Sequence, residues 1–458
     1  MKNPFEAYKK IYRRFANLII VALMTIPFCL LWDGKLNGLM DRQFLGKGNL
    51  LIIFSYVLFI FVFMQLWGGF KLGYQKLVNL VLSQILAVIC INILTYIQVI
   101  LMIGTIDYLW NIACWMILLM AVNSVCCLLA SSLFINIYVK LFPAYKVLQI
   151  NGDYENYLSQ KIRDRDDKYQ ISEEISVYEP WEKLLDMMAK YDTILLNDIP
   201  SAYKNKILKY CFDNSIRVYF TPKISDIIVK GTEVINLFDS PLLLCKNIGL
   251  NFEQRLIKRC MDLVISGLGI ILTSPIMLLT AVCIKCNDGG PVFYKQDRCT
   301  LNGKVFTIYK FRSMIVDAEK DGKIRPATED DDRITKVGKI IRKTRVDELP
   351  QLINILKGEM SFVGPRPERT EHIEKYCKEI PEFSYRLKMK GGLTGYAQVY
   401  GRYNTTAYDK LKMDLLYIVN YSVIMDIQII FETVKILFKK ESTEGFTALQ
   451  IQELRENE

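Results

Sequence analysis

The chain has 458 residues, 51% of them hydrophobic, and its mean hydropathy of +0.18 is unusual for an ordinary soluble protein. This length allows two to four domains, each with its own core. The net charge of +10 suits work against anionic lipid headgroups or phosphate-bearing substrates. Because no aromatic-and-basic nucleic-acid module is recognisable, we expect no nucleic-acid partner. The single histidine excludes sites built from several histidines, and the twelve cysteines lack paired spacing, which indicates reduced thiols.

Four apolar runs come first, at residues 15–32, 50–70, 78–102 and 108–134. Each has about 20 residues or more, the length that a helix needs to cross a bilayer. Basic residues flank the first run, follow the second and, at Lys140, end the fourth. The positive-inside rule therefore places the N-terminus and everything after about residue 143 in the cytoplasm. The sequence predicts a four-helix transmembrane domain at 1–142.

Between residues 146 and 250, short apolar runs of strand length alternate with helical patterns. This alternation is typical of a small parallel α/β sheet and predicts a Rossmann-like α/β domain at 143–250. The turn Asn151-Gly152-Asp153-Tyr154 has one glycine and an acid where a dinucleotide site needs G-x-G-x-x-G. This favours a regulatory or assembly domain over the alternative of a nucleotide-sensing one.

A fifth uncharged apolar run, at 263–284, is also long enough to span a membrane. Ser274 and Pro275 lie at its middle, and a proline there removes a hydrogen bond and bends the helix. Because both flanks are basic, we predict a re-entrant helix at about 256–286, in which Ser274 satisfies a freed carbonyl. A fifth, kinked span is the alternative.

Residues 342–358 have the pattern of a short amphipathic helix. Its apolar residues recur at helical spacing and predict one buried face: Leu349, Leu352, Ile353 and Leu356. Asp347 occupies the N-cap position, and Gly358 follows the last turn. Asp347 and Glu348 would then stand at a helix N-terminus, which favours negative charge and phosphate, with Arg342 and Arg345 just upstream. The pattern indicates phosphate chemistry with a metal ion; capping acids balanced by surface arginines are the alternative.

Further motifs accompany this acidic stretch in a fixed order, at 294–298, 306–314, 333–338, 360–367 and 392–402. From about residue 252 to 441 the chain resembles the bacterial sugar transferases, and more closely the polyprenyl-phosphate hexose-1-phosphate transferases, which are monotopic phosphoglycosyl transferases. With four spans and an α/β domain in front, it resembles the long form, which starts O-antigen, capsule or exopolysaccharide units. The membrane entry of this family is a re-entrant helix broken at Ser-Pro, which matches Ser274 and Pro275.

The resemblance implies a reaction in which a UDP-sugar gives its hexose 1-phosphate to undecaprenyl phosphate and releases UMP. The family works through a covalent phospho-sugar intermediate. Asp347 matches the nucleophile, and Glu348 matches the carboxylate that holds Mg²⁺. Neighbouring helical residues point about 100° apart, so one acid can face phosphorus and the other the metal. Galactose or glucose is favoured as the sugar, with an N-acetylated amino sugar as the alternative.

The resemblance also carries over basic and membrane-entry residues. The substrate-binding candidates are Arg298, Lys310, Arg312, Arg342, Arg366 and Arg402. Lys258, Arg259 and Asp262 match the entry of the membrane helix, where they would bind a lipid phosphate or anchor the helix. The departures from the family pattern are few and spare the acidic pair: Val346, Arg298-Cys299-Thr300, Gly391 and Tyr396.

Taken together, the predicted fold class is a membrane α-helical bundle, a Rossmann-like α/β domain and a mainly α catalytic domain at 251–441, followed by a polar tail at 442–458. An apolar stripe between 427 and 438 predicts a helix on the membrane surface or a core helix. The resemblance implies Mg²⁺ as cofactor, a homodimer, and a multi-pass protein of the bacterial inner membrane with cytoplasmic soluble domains. The rival hypothesis is a non-catalytic membrane scaffold, against which the intact Asp347-Glu348 pair argues.

Overall fold

The computed structural model describes residues 5–153, 158–245, 249–316, 318, 331–401 and 405–437. The predicted candidate Arg402 and the predicted tail at 442–458 lie outside these residues. The chain forms two compact units, Met1–Pro222 and Lys223–Glu458.

The first unit begins with a bundle of four long helices: α1 Lys9–Leu31, α2 Lys47–Trp67, α3 Leu77–Ile103 and α4 Leu109–Leu141. They confirm the four helices predicted from the apolar runs, and by length and composition each could cross a membrane. Polar contacts join the helices inside the bundle. Asn123 donates to the Tyr56 hydroxyl at 2.8 Å, and Ser131 donates to Gln84 at 2.8 Å. Such buried polar pairs contribute to helix association where no water competes.

A parallel α/β sheet completes this unit. Its elements are β1 Tyr145–Asn151, α5 Leu158–Arg163, β2 Tyr169–Ser176, α6 Trp181–Met188, β3 Thr193–Asn197, α7 Ser201–Asp213 and β4 Arg217–Phe220. The strand order is β2-β1-β3-β4, and every pairing is parallel. The predicted parallel sheet is confirmed, whereas β2 was not predicted because its residues are mostly polar and exposed. Leu148, Ile150 and Ile194 form the core with Leu184 of α6 and Ile207 of α7.

The second unit contains the remaining elements. These are α8 Ile224–Lys230, β5 Glu233–Leu237, β6 Ser240–Leu244, α9 Phe252–Asp288, β7 Phe293–Cys299, β8 Val305–Phe311, α10 Lys336–Lys343, α11 Gln351–Lys357, β9 Ser361–Val363, α12 Thr370–Glu379, β10 Gly392–Thr394, α13 Tyr396–Tyr400, α14 Ala407–Val419 and α15 Val423–Leu437. This unit starts ahead of the predicted boundary at residue 250, because α8 packs Ile227 against Leu411 and Leu415 of α14. Two strand pairs carry site residues: the antiparallel β7–β8 and the parallel β9–β10.

The helix α9 continues through Ser274 and Pro275, so the chain stays helical at this dipeptide; the bend expected at Pro275 and the re-entrant path stay predictions. Pro275 has no N–H for the carbonyl of Ile271, one turn earlier. The Ser274 hydroxyl donates to that carbonyl at 2.8 Å, as the sequence predicts. The compensation explains how the helix continues past the proline.

One side of α9 contacts the rest of the second unit along its whole length. Near the N-terminus, Asp262 bonds β9; in the middle, Ile270 packs with Leu352 of α11. Near the C-terminus, Ile284 packs with Phe311 and Ile341. The opposite face of α9 is apolar and exposed, and by length and composition this helix too could cross a membrane.

Candidate active site

The two adjacent acids lie in a short turn between α10 and α11. Val346–Glu348 form one turn of 3-10 helix, and the backbone of the preceding Arg345 is left-handed, with φ 59°. The helix α11 begins only at Gln351, so the prediction that Asp347 caps it is wrong. Gly358 ends α11 with φ 80°, the left-handed conformation that glycine adopts without a steric cost.

The buried face of α11 also differs from the predicted one. Leu352 is buried with Phe306 and Ile308 of β8, but Leu356 is exposed. In its place the fully buried Asn354 donates to Thr307 O at 2.8 Å and accepts from Tyr309 N at 3.0 Å. These bonds fix the acidic turn against β8, because a buried amide group is stable only when it is paired.

Glu348 is neutralised by two cations. Its Oε1 lies 3.0 Å from Lys310 Nζ and 3.4 Å from Arg366 Nη2. Burial alone would raise the pKa of Glu348, but Lys310 and Arg366 together outweigh it and hold this pKa well below its usual range. Glu348 is therefore ionised at neutral pH. The Arg366 side chain remains 40% exposed and is accessible to a ligand.

Asp347 has the opposite environment. Its Oδ1 is buried and accepts no hydrogen bond from any residue that the structure describes. Burial, followed by the charge of Glu348, raises the pKa of Asp347. Lys310, Arg345 and Arg342 act in the other direction. Three cations therefore act on a carboxyl group that has one oxygen without a hydrogen-bond partner among the described residues.

Two other basic candidates, Arg298 and Arg312, have different surroundings. Arg298 lies near Arg366 and donates to Pro367 O at 3.2 Å. Burial, with the charge of Arg366, lowers the pKa of Arg298 to about 10. One cleft is lined by Arg298, Lys310, Gln351 and Arg366.

Arg312 is buried and paired with Asp288 at the end of α9. We therefore place Arg312 in a structural contact and not beside Glu348.

A second group of charges supports Arg366, and the sequence did not predict it. Arg386 is 3% exposed; its Nη2 donates to Asp414 Oδ2 at 2.7 Å and to the main-chain oxygen of Arg366 at 3.0 Å. Its Nη1 lies 3.5 Å from Glu368. Glu368 could have been suspected because it directly follows the Gly-Pro-Arg-Pro motif, but no local signal marked Arg386 or Asp414.

The residues at the entry of α9 hold this helix to the unit. Lys258 Nζ lies 2.6 Å from Asp426 Oδ2, and both side chains are buried. Arg259 donates to the carbonyls of Ile355 and Leu356, each at 2.7 Å, as a cation does at a helix C-terminus.

Asp262 accepts hydrogen bonds from Ser361 Oγ at 2.9 Å and Phe362 N at 2.8 Å. With Lys258 and Arg259 engaged as well, these contacts anchor α9 to the unit; binding of a lipid phosphate, which anchoring does not exclude, stays a prediction.

Comparison with known proteins places this site in a family. Residues 253–440 match the bacterial sugar transferase family. An uncharacterized sugar transferase, EpsL, of Bacillus subtilis is 39% identical over 180 residues, which cover 39% of this chain and 86% of that relative.

Two relatives with named activities match over a smaller share of their length. A UDP-glucose:undecaprenyl-phosphate glucose-1-phosphate transferase of Klebsiella pneumoniae is 44% identical over 211 residues, 45% of this chain and 43% of the relative. A UDP-N-acetylgalactosamine-undecaprenyl-phosphate N-acetylgalactosaminephosphotransferase of Aeromonas hydrophila is 38% identical over 254 residues, 54% of this chain and 59% of the relative. The chain thus spans about half the length of these two relatives.

Proposed function

The chain belongs to the bacterial sugar transferase family, and we propose that it transfers a hexose 1-phosphate from a UDP-sugar to undecaprenyl phosphate and releases UMP. This proposal rests on the different surroundings of two neighbouring acids, Asp347 and Glu348. Glu348 is paired with Lys310 and Arg366, whereas the Oδ1 of Asp347 is buried and accepts no hydrogen bond within the described part of the chain. A purely structural acid pair has no need of such an arrangement, because an unbonded buried carboxylate oxygen destabilises the fold.

The reaction proceeds in two displacements at phosphorus. In the first, a carboxylate oxygen of Asp347 attacks the phosphorus that carries the sugar, the bond from that phosphorus to the bridging oxygen breaks, and UMP leaves with the bonding electrons. In the second, a phosphate oxygen of undecaprenyl phosphate attacks the same phosphorus, and its bond to Asp347 breaks. The carboxylate is regenerated, and the lipid leaves as a diphosphate that carries the sugar.

The cations of the cleft prepare the diphosphate for this attack. Two anions repel each other, so a carboxylate approaches a diphosphate only when positive charge is placed around it. Arg366 and Arg298 line the cleft beside Lys310, and a guanidinium can grip two phosphate oxygens at once. Arg386 donates a hydrogen bond to the Arg366 carbonyl and so positions the backbone of Arg366.

The residues present also fit Mg²⁺, which proteins often hold with one or two carboxylates and the phosphates of the substrate. Glu348 is ionised, and Asp347, the residue before it, has an Oδ1 that accepts no hydrogen bond from the described residues. Among the described residues there is no cluster of three or more acidic, histidine or cysteine side chains that could hold a metal. Glu348 would therefore hold the ion together with the substrate. The bound ion would supply positive charge to the diphosphate.

We further propose that α9 enters the membrane from the cytoplasmic side of the inner membrane without crossing it. Asp262, Ile270 and Ile284, along the length of α9, contact the same unit, which supports entry and exit on one side. Thiol labelling of a Lys304→Cys variant in intact cells tests this membrane topology. We expect no reaction beyond that of the unsubstituted chain with a membrane-impermeant thiol reagent; extra labelling at position 304 contradicts the proposal.

The comparisons do not identify the sugar of the donor, because one relative is named for glucose and another for N-acetylgalactosamine. Glucose or galactose stays our favoured donor. A panel of UDP-sugars, supplied with undecaprenyl phosphate and purified protein, tests both the reaction and the donor by UMP release. We expect release with one UDP-hexose and none with an Asp347→Asn variant. No release from any UDP-sugar by folded protein contradicts the proposed function.

A further inference from the structure

A group of cations surrounds Tyr74, in the loop that joins α2 to α3. Lys168 Nζ and Arg165 Nη1 both donate to the Tyr74 carbonyl, at 3.0 and 2.9 Å. Arg13 stacks on the Tyr74 ring with its Cζ 4.3 Å from the ring centroid, and Lys168 Nζ lies 5.1 Å from the same centroid. We call Arg13, Tyr74, Arg165 and Lys168 the Tyr74 cluster.

The Tyr74 cluster has more positive than negative charge. Arg165 is neutralised by Asp167, which accepts from its Nε and Nη2 at 2.8 and 2.9 Å. Within the described ranges, neither Arg13 nor Lys168 has a carboxylate at ion-pair distance. Burial, together with repulsion from Arg165, lowers the pKa of Lys168 to about 8. Both cations thus lie against the same tyrosine ring, and Asp167, the carboxylate that acts on Lys168, is already bonded to Arg165.

The position of the Tyr74 cluster in the fold suggests the class of ligand. Arg13 is in the first two turns of α1, Tyr74 precedes α3, and Lys168 directly precedes β2. The cluster therefore lies where the apolar helices end and the α/β sheet begins. In a membrane protein this is the level of the lipid headgroups, where phosphates are abundant and basic side chains bind them.

We propose that the Tyr74 cluster binds a phosphate anion through Arg13 and Lys168. A phosphate would accept hydrogen bonds from the guanidinium and the ammonium and would neutralise the charge that the protein leaves uncompensated. The phosphate belongs either to the headgroup of an anionic phospholipid or to a free phosphate ion. Neither source depends on the proposed transfer reaction, since no member of the cluster belongs to the candidate active site.

Thermal unfolding of the full chain in lipid nanodiscs tests this proposal. The chain is compared in phosphatidylcholine, in phosphatidylcholine with phosphatidylglycerol, and in phosphatidylcholine with inorganic phosphate. The variant Arg13→Gln/Lys168→Gln is compared with the control Lys146→Gln/Lys190→Gln, which removes the same charge at exposed positions of the α/β domain.

We expect an anion-dependent rise in the midpoint for the wild type and the control, and loss of most of that rise in the cluster variant. A rise with phosphatidylglycerol alone identifies a lipid headgroup, and an equal rise with inorganic phosphate identifies a free anion. The proposal is overturned if the wild type shows no rise, or if the cluster variant keeps it, or if the control loses it equally.

If the double variant does not fold, lipid retained by the purified wild-type chain gives a second measurement. Native mass spectrometry is expected to show phosphatidylglycerol retained in preference to phosphatidylcholine, with less retention in Lys168→Gln and recovery in Lys168→Arg. Equal retention of the two lipids by a wild type whose unfolding midpoint inorganic phosphate does not raise, or phosphatidylglycerol retention that is unchanged in Lys168→Gln, overturns the proposal.

Discussion

Lys310 Nζ pairs with Glu348 Oε1 at 3.0 Å, while one carboxylate oxygen of the neighbouring Asp347 has no hydrogen-bond partner among the residues that the structure describes. Two adjacent acids are thereby given opposite electrostatic environments: the pKa of Glu348 is lowered and that of Asp347 is raised. Pairs of titratable groups whose environments separate their pKa values in this way are characteristic of sites with two distinct chemical roles. The proposed nucleophile and the proposed metal ligand correspond to these two roles.

Replacement of Asp347 by asparagine tests the nucleophile. Asp347→Asn keeps the size of the side chain but removes the charged oxygen, so we expect no covalent phospho-sugar on the protein and a loss of about 10³-fold or more in UMP release. Digestion after trapping with labelled UDP-sugar locates any label. Asp297→Asn, on β7, serves as the control for a lost carboxylate. Label on the peptide around position 347 in Asp347→Asn, or full turnover, refutes the assignment.

The pH dependence of the rate reports on the coupling between the two acids. Asp347 attacks only when ionised, and because its pKa is raised, the rising limb of kcat/KM lies at higher pH than for an ordinary carboxyl group. Glu348→Gln removes the like charge and frees Lys310 and Arg366, and both changes lower the pKa of Asp347. We expect the residual activity of Glu348→Gln to rise at lower pH than wild type. A limb that stays in place, or moves to higher pH, contradicts the coupling.

Arg386 is expected to act on activity through Arg366. Its planar guanidinium bonds Asp414 and the Arg366 carbonyl together, which a lysine cannot reproduce. A charged hydrogen bond contributes about 1.5–3 kcal/mol, so Arg386→Lys should lower kcat/KM about tenfold or more, mainly through a higher KM for the UDP-sugar. Lys375→Gln, an exposed charge on α12, is the control. An unchanged KM in folded Arg386→Lys shows that the contact only stabilises the fold.

Variants of the Lys258–Asp426 pair test the two roles predicted for the entry of α9, which are anchoring of the helix and binding of a lipid phosphate. The pair is buried, with an Nζ–Oδ2 distance of 2.6 Å, so Lys258→Met alone should cost about 3–5 kcal/mol of unfolding free energy by leaving Asp426 unpaired. The double variant Lys258→Met/Asp426→Leu should recover most of that loss and keep the KM for undecaprenyl phosphate. Chemical denaturation and steady-state kinetics measure the two quantities. A restored fold with a greatly raised lipid KM would instead assign Lys258 to the lipid phosphate.

Much of the fold could be predicted from local patterns. The four membrane helices follow from the lengths of the apolar runs, and the parallel sheet follows from short apolar runs that alternate with helices. Ser274 was predicted to bond a carbonyl freed by Pro275, and it does so, because donor and acceptor are one turn apart. The chain stays helical past Pro275, where the family pattern implies a broken helix, because this same bond satisfies the freed carbonyl.

The candidate site could be predicted in composition but not in geometry. The apolar period of residues 349–356 predicted a buried Leu356, yet Asn354 is buried instead, because Thr307 and Tyr309 of a distant strand satisfy its amide. Arg312 was assigned to substrate, and its partner is Asp288 at the end of α9. Basic residues look alike in a sequence, and only their partners distinguish a substrate ligand from a structural ion pair.

By itself the sequence determined the apolar helices, the α/β alternation and the presence of two adjacent acids among conspicuous arginines, since each depends on residues close together in the chain. Only the tertiary structure decided which acid is neutralised by cations, and which acid is therefore the proposed nucleophile. That decision depends on Lys310 and Arg366, which approach Glu348 from a strand and a turn on either side of it in the chain. Charge interactions weaken as the distance between the charges grows, so their effect is set by folded distances and not by order in the chain.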